Sequence, residues 1–171
     1  MGKIIQQGQL LFGIAIAASG VEGLICAHLG LAVRGVPWFP TNTLLAYLTG
    51  IALVVAGLSI VANVRARLTA ILLGILFLLY VLFLELPQVI ASLMNLSVRT
   101  VFFEALALAA SALTLAGTLS TPSSGSRWWD RGSDELIAFG PYLFAAAAVV
   151  FGIDHFLILD FIASLVPAWL P

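Results

Sequence analysis

Charged residues are scarce in this sequence. Asp, Glu, Lys and Arg together make up 9% of its 171 residues, whereas a soluble domain carries roughly 25%. Hydrophobic residues make up 62% of the chain, which is more apolar surface than a soluble fold of this length can bury, so the bilayer must be part of its solvent. The formal net charge of −1 gives no basic field to attract nucleic acid, and we expect no nucleic-acid partner.

Cysteine and histidine are also nearly absent. Cys26 is the single cysteine, which excludes an intramolecular disulfide. The two histidines are His28 and His155, and no spacing among these three residues resembles a zinc, haem or iron–sulfur site. The pair of Cys26 and His28 is more typical of core packing than of a metal site. We therefore expect no intrinsic cofactor, and a redox role would require a borrowed electron carrier.

Long apolar segments fill most of the chain. They cover residues 10–33, 44–62, 68–86, 98–119 and 136–165. Each is near or above the roughly 20 residues that a helix needs to cross the hydrocarbon core, and none shows the alternating polarity of a barrel strand. The first segment continues too far for the apolar region of a cleaved signal peptide. The sequence thus predicts an all-α fold, a polytopic transmembrane helical bundle.

Local signals predict where three of these helices begin or end. Thr41, Asn42 or Thr43 can cap the second helix. Pro87 is expected to end the third helix. Ser133, followed by two acidic residues, is expected to start the fifth.

Lysine and arginine predict how this bundle is oriented. In the predicted topology, one side of the membrane collects Lys3, Arg65, Arg67, Arg127 and Arg131. The other side collects Arg34 and Arg99. Because cytoplasmic loops are enriched in lysine and arginine, we expect the N-terminus in the cytoplasm and the C-terminus outside, in the cell (inner) membrane.

The fifth apolar segment repeats the first. Residues 10–24, LLFGIAIAASGVEGL, align without gaps with residues 142–156, YLFAAAAVVFGIDHF. In this alignment Glu22 corresponds to Asp154, and each segment continues to a Val-Pro, a Trp and a closing Pro. These shared features favour a common origin of the two segments over chance similarity between apolar helices.

The repeat predicts a domain organisation. A four-helix unit covers residues 1–119, a cytoplasmic linker covers 120–135, and 136–171 form a fifth helix with an exit segment that begins a second unit. Under this hypothesis the chain is a shortened relative, or a fragment, of a two-unit protein. The alternative is a five-helix protein in its own right.

Two stretches carry a family resemblance. Residues 152–171, GIDHFLILDFIASLVPAWLP, resemble the first helix and exit loop of DoxX-like membrane proteins. Residues 44–89, LLAYLTGIALVVAGLSIVANVRARLTAILLGILFLLYVLFLELPQV, resemble their second and third helices. The resemblance implies a four-helix integral membrane unit and, from some members of the family, an association with quinone-linked oxidoreductase systems. The sequence departs from the pattern where Asp154-His155 in the fifth segment corresponds to Glu22-Gly23 in the first.

Six polar residues within the apolar segments are candidates for a functional site. They are Glu22, His28, Glu85, Glu104, Asp154 and His155. A charged carboxylate at the bilayer centre costs at least about 2.5–3.5 kcal/mol, so we expect such residues to face the bundle or a wet cavity. The predicted topology places all six at mid-membrane or in its outer half. We expect an outward-opening polar pocket whose carboxyl and imidazole groups exchange protons and bind a quinone head group. Alternatively, the acids only hydrogen-bond across helices, and Glu85 is an interfacial residue with Arg99 as its surface partner.

Two classes of function fit these candidates. The sequence favours a DoxX-like membrane protein that serves as an accessory or quinone-interacting subunit of a membrane redox system. Its expected partners are the lipid bilayer and other membrane or redox subunits. The alternative is a non-enzymatic assembly or binding protein, or a small-solute transporter, that uses the same pocket. No residue pattern specifies a reaction or a substrate.

Overall fold

The computed structural model describes residues 2–29, 42–119 and 128–157, and at residues 128–131 and 155 it describes the backbone alone. Within these ranges the chain folds into helices. They are α1 (Gly2–His28), α2 (Thr43–Val61), α3 (Ala66–Tyr80), a π-helical turn (Val81–Glu85), α4 (Leu86–Ala91), α5 (Leu96–Thr118) and α6 (Trp128–Leu157). The predicted exit segments of the repeat, with Trp38 and Trp169, lie outside the described residues.

Five helical segments are long and apolar enough to cross a membrane. In the described part of the chain they are Gly2–His28, Thr43–Val61, Ala66–Ala91, Leu96–Thr118 and Gly132–Asp154. The third of these spans runs without interruption through α3, the π turn and α4. The predicted all-α transmembrane bundle is therefore confirmed, and the chain is a multi-pass membrane protein by the length and hydropathy of its helices.

Four of the five spans share one hydrophobic core. The buried residues of this core come from α1, α2, α3 and α5, and Ile16, Leu53, Phe77 and Ala109 are each exposed by 4% or less. α6 packs on α5, and Ala147 is its one buried hydrophobic residue within the described range. The described helices thus form a four-helix core with α6 attached to the side of α5.

Glycines bring α1 and α2 into direct contact. A Cβ atom built on Gly57 would lie 2.5 Å from the backbone N of Ala17 and 2.5 Å from the carbonyl O of Gly13. A Cβ atom on Gly20 would lie 2.7 Å from the carbonyl O of Gly50. Lipid tails are as apolar as the helices, so the hydrophobic effect does not drive helices together and close packing at small residues stabilises the contact. The seven-residue spacing of glycines within each helix indicates this packing in the sequence.

A buried amide ties the turn between α2 and α3 to α1. Gln9 Nε2 donates to the carbonyl O of Ile60 at 2.8 Å and to Oδ1 of Asn63 at 3.1 Å. Asn63 and Arg65 have φ angles of 56° and 50°, in the left-handed region that costs residues other than glycine roughly 1–2 kcal/mol each. The bonds from Gln9 hold this sharp reversal against the first helix.

The third span contains a π turn that the sequence does not predict. The expectation that Pro87 ends the helix is wrong, because Pro87 lies in the first turn of α4, which continues to Ala91. A proline in a continuing helix removes one backbone hydrogen bond, and its ring crowds the preceding turn. The π turn at Val81–Glu85 widens the helix at this position.

The fifth span begins earlier than the sequence indicates. α6 starts at Trp128, within the predicted linker 120–135. Ser133, which was expected at the start of this helix, lies inside it and is buried. The predicted cap of α2 is confirmed, because Asn42 Oδ1 accepts hydrogen bonds of 3.0 and 3.2 Å from the N–H groups two and three residues on.

Gly57→Ala is expected to lower the free energy of unfolding by about 1–3 kcal/mol, because the added methyl group overlaps the backbone of α1. The matched control is Gly152→Ala in α6, where a Cβ atom meets nothing within 4 Å. The control is expected to leave stability unchanged or to raise it by up to about 1 kcal/mol, because alanine is the better helix former. SDS-induced unfolding in mixed micelles measures both variants, and equal effects would contradict the close α1–α2 contact.

Candidate functional site

Polar side chains from three spans lie near the same end of the bundle. α4 ends there, α5 begins there and the described part of α6 reaches the same end, because consecutive spans run in opposite directions. The residues form two sets: the ion pair of Arg99 with Asp154, and a group of Tyr80, Glu85 and Glu104, which we call the Tyr80 group. With a rise of 1.5 Å per residue, all five lie within about 17 Å of the helix ends at this side.

A bidentate ion pair joins α5 to α6. Arg99 Nε donates to Asp154 Oδ2 at 3.3 Å, and Arg99 Nη2 donates to Asp154 Oδ1. Such a fork is stronger and more directional than a single charged hydrogen bond. The side chain of Asp154 is 4% exposed and that of Arg99 is 22% exposed. The pair is therefore shielded, and each charge depends on the other for stabilisation.

Arg99 stands at the unfavourable end of its own helix. It lies in the first turn of α5, where the helix dipole is positive. The dipole of α5 therefore does not stabilise this charge, and the carboxylate of Asp154 does so instead. The pair thus favours one arrangement, in which Asp154 of α6 lies against the start of α5.

The π turn brings Tyr80 and Glu85 together. In an α-helix, side chains five residues apart point about 140° away from each other. In a π turn, whose hydrogen bonds join residues i and i+5, they lie nearly above one another. Tyr80 Oη donates to Glu85 Oε1 at 2.6 Å. Glu85 is 4% exposed, so this hydroxyl satisfies an oxygen of a carboxyl that is shielded from the surroundings.

Glu104 completes the Tyr80 group from the neighbouring helix. It is exposed on the surface of α5, next in sequence to Phe103 and Ala105, which pack with Tyr80 in one small hydrophobic cluster. Tyr80, Phe102 and Phe103 all pack against the same small hydrophobic cluster. The two phenylalanine rings meet edge to face with centroids 5.0 Å apart. The group thus combines a hydroxyl, a buried carboxyl and an exposed carboxyl beside aromatic rings.

The other predicted site residues do not join this group. Glu22 and His28 are exposed on α1, whose main contact is with α2. The expectation that Glu22 faces the bundle or a wet cavity is therefore wrong. His155 follows Asp154 in α6, and its side chain is not among the described ones. Of the six predicted residues, Glu85 and Glu104 share the Tyr80 group.

An apolar groove of about 210 Å³ lies between α2 and α3. Its walls are Ala52, Val55, Ala56, Ser59, Thr69, Leu72, Leu73 and Leu76. None of the six candidates lines it, so it is not the expected pocket of carboxyl and imidazole groups. Ser59 Oγ and Thr69 Oγ1 lie 3.0 Å apart and hydrogen-bond each other. Tyr80 lies one turn beyond Leu76 on the same stripe of α3, so the groove leads towards the Tyr80 group.

Two residues of these contacts were not among the six candidates. The sequence suggests Arg99 as a surface partner of Glu85, but the structure pairs Arg99 with Asp154. Tyr80 was not among the candidates because its side chain is uncharged and does not stand out within an apolar segment. Its contact with Glu85 depends on the π turn, and the sequence signals that distortion only through Pro87.

The fold and these contacts define a multi-pass, all-helical membrane protein with ionisable groups inside its spans. Comparison of the chain with protein-family models, with curated proteins and with solved structures gives no match. The resemblance to DoxX-like proteins thus stays a prediction. Among the residues that the structure describes, no group of three or more His, Cys, Asp or Glu side chains is arranged to hold a metal ion.

Removing one partner of the Arg99–Asp154 pair is expected to destabilise the α5–α6 contact. Asp154→Asn or Arg99→Gln should lower the free energy of unfolding by about 3–5 kcal/mol, because the remaining charge stays shielded without a counterion. The matched control is Arg67→Gln, which breaks the exposed pair of Arg67 Nη2 with Asp134 Oδ1, 2.6 Å apart, near the start of α6. That loss should cost about 0–1 kcal/mol. Similar losses at the two pairs in SDS unfolding would contradict this assignment.

Proposed function

We propose that this protein is an accessory, quinone-interacting subunit of a membrane redox system, and that the Tyr80 group binds the quinone head group. The observation that carries the proposal is the 2.6 Å hydrogen bond between Tyr80 Oη and Glu85 Oε1 inside a membrane span, beside the exposed carboxyl of Glu104. Ionisable side chains inside a span are costly to place there, which makes them functional candidates by default.

The Tyr80 group fits both oxidation states of a quinone head group. A quinone presents carbonyl oxygens that accept hydrogen bonds, and a quinol presents hydroxyl groups that also donate them. The Tyr80 hydroxyl donates or accepts, and the carboxyls of Glu85 and Glu104 accept when ionised and donate when protonated. Because Glu104 is exposed on a membrane span, a ligand dissolved in the bilayer can approach it sideways.

The groove between α2 and α3 suits the tail of the same ligand. Its lining is almost entirely aliphatic, and it ends one helical turn from Tyr80. Pockets for cofactors of this type combine apolar walls with a few polar groups that orient the ligand. The quinone supplies the redox chemistry. The chain's own residues bind and orient the head group and hold a proton at the carboxyls of Glu85 and Glu104, and we assign electron transfer to the partner redox subunits.

The same proposal includes the DoxX-like family and an orientation in the cell inner membrane with the N-terminus in the cytoplasm. Lys3, Arg65 and Arg67 stand at one end of the bundle. At the other end, Arg99 is the one lysine or arginine within the part of the chain that the structure describes. An excess of lysine and arginine is typical of the cytoplasmic side.

A small-solute transporter or a non-enzymatic assembly protein is the competing proposal. The exposed carboxyl of Glu22 on α1 favours assembly, because it has no partner among the described residues. Transport would instead appear as proton or solute flux in proteoliposomes that Glu85→Gln abolishes. Such flux without saturable quinone binding would favour the transporter over the quinone-interacting subunit.

Tyr80→Phe is expected to weaken binding of a short-tailed ubiquinone or menaquinone analogue by roughly tenfold, because the head group loses one hydrogen-bond partner. Glu85→Gln and Glu104→Gln are expected to weaken it as well. The matched control is Tyr142→Phe, the same change at a tyrosine of α6 that is 75% exposed, and it should leave binding unchanged. Titration of the protein in lipid nanodiscs measures the affinities. If the native protein shows no saturable binding, the proposal is wrong.

Single cysteines in a Cys26→Ser background test the orientation. Val64 lies in the α2–α3 turn and is 60% exposed, and Met94 lies between α4 and α5 and is 90% exposed. With the N-terminus in the cytoplasm, Met94→Cys should react with a membrane-impermeant maleimide on intact spheroplasts. Val64→Cys should react only after the membrane is permeabilised. The reverse pattern would place the N-terminus outside.

A further inference from the structure

The similarity between α1 and α6 follows one side of each helix. At a constant offset in the sequence, Gly8 corresponds to Gly140, Ala15 to Ala147, and Glu22 to Asp154. Within each helix these residues recur every seven positions, so they form a stripe along one side. We call the two sets the α1 stripe and the α6 stripe.

The α6 stripe is buried against α5. Ala147 is fully buried and Asp154 is 3% exposed. A Cβ atom built on Gly140 would lie 2.9 Å from the backbone N of Thr114, so the absence of a side chain at Gly140 lets the α5 backbone approach closely. At the other end of the stripe, Asp154 accepts the two hydrogen bonds from Arg99. The stripe thus binds a helix through close packing at one end and an ion pair at the other.

The α1 stripe is exposed along its whole length. A Cβ atom on Gly8 meets nothing within 4 Å, and Ala15 and Glu22 are both exposed. Glu22 forms no hydrogen bond or ion pair with the described residues. It lies about 9 Å from the end of α1, beside Val21 and Ile25, which are 46% and 53% exposed. A carboxyl in this position requires a partner, because lipid tails cannot solvate it.

We propose that the α1 stripe is a docking face for one transmembrane helix of a partner protein, which carries an arginine or lysine that pairs with Glu22. The α5–α6 contact supplies the geometry. By analogy with α5, the partner helix runs antiparallel to α1, carries the basic residue in its first turn, and places a small or β-branched residue about four turns later against Gly8.

Charge complementarity selects this occupant over a second copy of the chain. A symmetric pairing of two α1 stripes sets two Glu22 carboxylates against each other, and like charges repel. A basic side chain instead satisfies the carboxyl as Arg99 satisfies Asp154. The proposal does not rest on quinone binding, because the α1 stripe and the Tyr80 group lie on different helices.

The test uses the sequence of α5 as the probe, because α5 is the helix that this type of stripe binds within the chain. Full-length protein with Ala15→Cys and Cys26→Ser is reconstituted in lipid vesicles with a synthetic peptide of residues 94–119. The peptide carries a cysteine in place of Ala107. In α5 this position lies midway between Arg99, which pairs with Asp154, and Thr114, which packs against Gly140. Disulfide formation under a mild oxidant then reports docking of the peptide on the α1 stripe.

The matched control is Ile14→Cys, because Ile14 is also exposed, at 54%, but points about 100° away around α1. We expect the Ala15→Cys protein to cross-link in a saturable manner, with a yield roughly tenfold above the control. Arg99→Gln in the peptide, or Glu22→Gln in the protein, should weaken the apparent affinity by roughly tenfold. Circular dichroism before oxidation establishes that each variant keeps its helical content.

Equal cross-linking at positions 14 and 15 would overturn the proposal, because contact would then be nonspecific collision in the bilayer. An unchanged affinity for the Arg99→Gln peptide would overturn it as well, since the basic residue would have no role. A disulfide between two Ala15→Cys chains that added peptide does not displace would assign the α1 stripe to a second copy of the chain.

Discussion

A carboxyl or guanidinium group inside a bilayer is stable only beside a partner, and the arrangement of this protein's helices depends on that constraint. Lipid solvates apolar side chains about as well as a neighbouring helix does, so the hydrophobic effect does not select among helix arrangements. Close packing at small residues and polar contacts do. The pair of Arg99 with Asp154 fixes α6 on α5, and the two hydrogen bonds from Gln9 fix α1 on the α2–α3 turn. The contact of Tyr80 with Glu85 is made locally and requires a departure from α-helical geometry.

The two outermost contacts of the bundle are stabilised in different ways. α1 is held to α2 by backbone-to-backbone packing at glycines, which is independent of charge. α6 buries little apolar surface. It is joined to α5 by the close approach of Gly140 to Thr114 and by the ion pair of Arg99 with Asp154, and the exposed pair of Arg67 with Asp134 adds little. The position of α6 therefore depends on an ion pair as well as on close packing, whereas the contact of α1 with α2 depends on the absence of side chains.

The sequence predicts the fold far better than it predicts the site. Length and hydropathy locate all five spans, because crossing a bilayer requires a long apolar helix regardless of its neighbours. The errors at Pro87 and Trp128 concern helix ends, where local signals are weak and tertiary contacts decide. Depth in the membrane is also readable from the sequence, but rotation about the helix axis is not. Glu22 and Asp154 align with each other, yet one is exposed and the other is buried, because α1 and α6 turn opposite sides towards the core.

Two carboxyls stay exposed on the surface of the described spans. Glu22 and Glu104 both lie well inside a span and are both exposed, so the chain itself supplies a partner to only some of its membrane carboxyls. Their surroundings differ in chemistry. Glu104 stands near a hydroxyl and aromatic rings, which suits a small lipid-soluble molecule with hydrogen-bonding oxygens. Glu22 shares its side of α1 with a glycine and an alanine, which suits the close approach of another helix. A bound ligand and a docked helix each supply a polar partner to a carboxyl inside the membrane, and the residues around each acid determine which of the two fits.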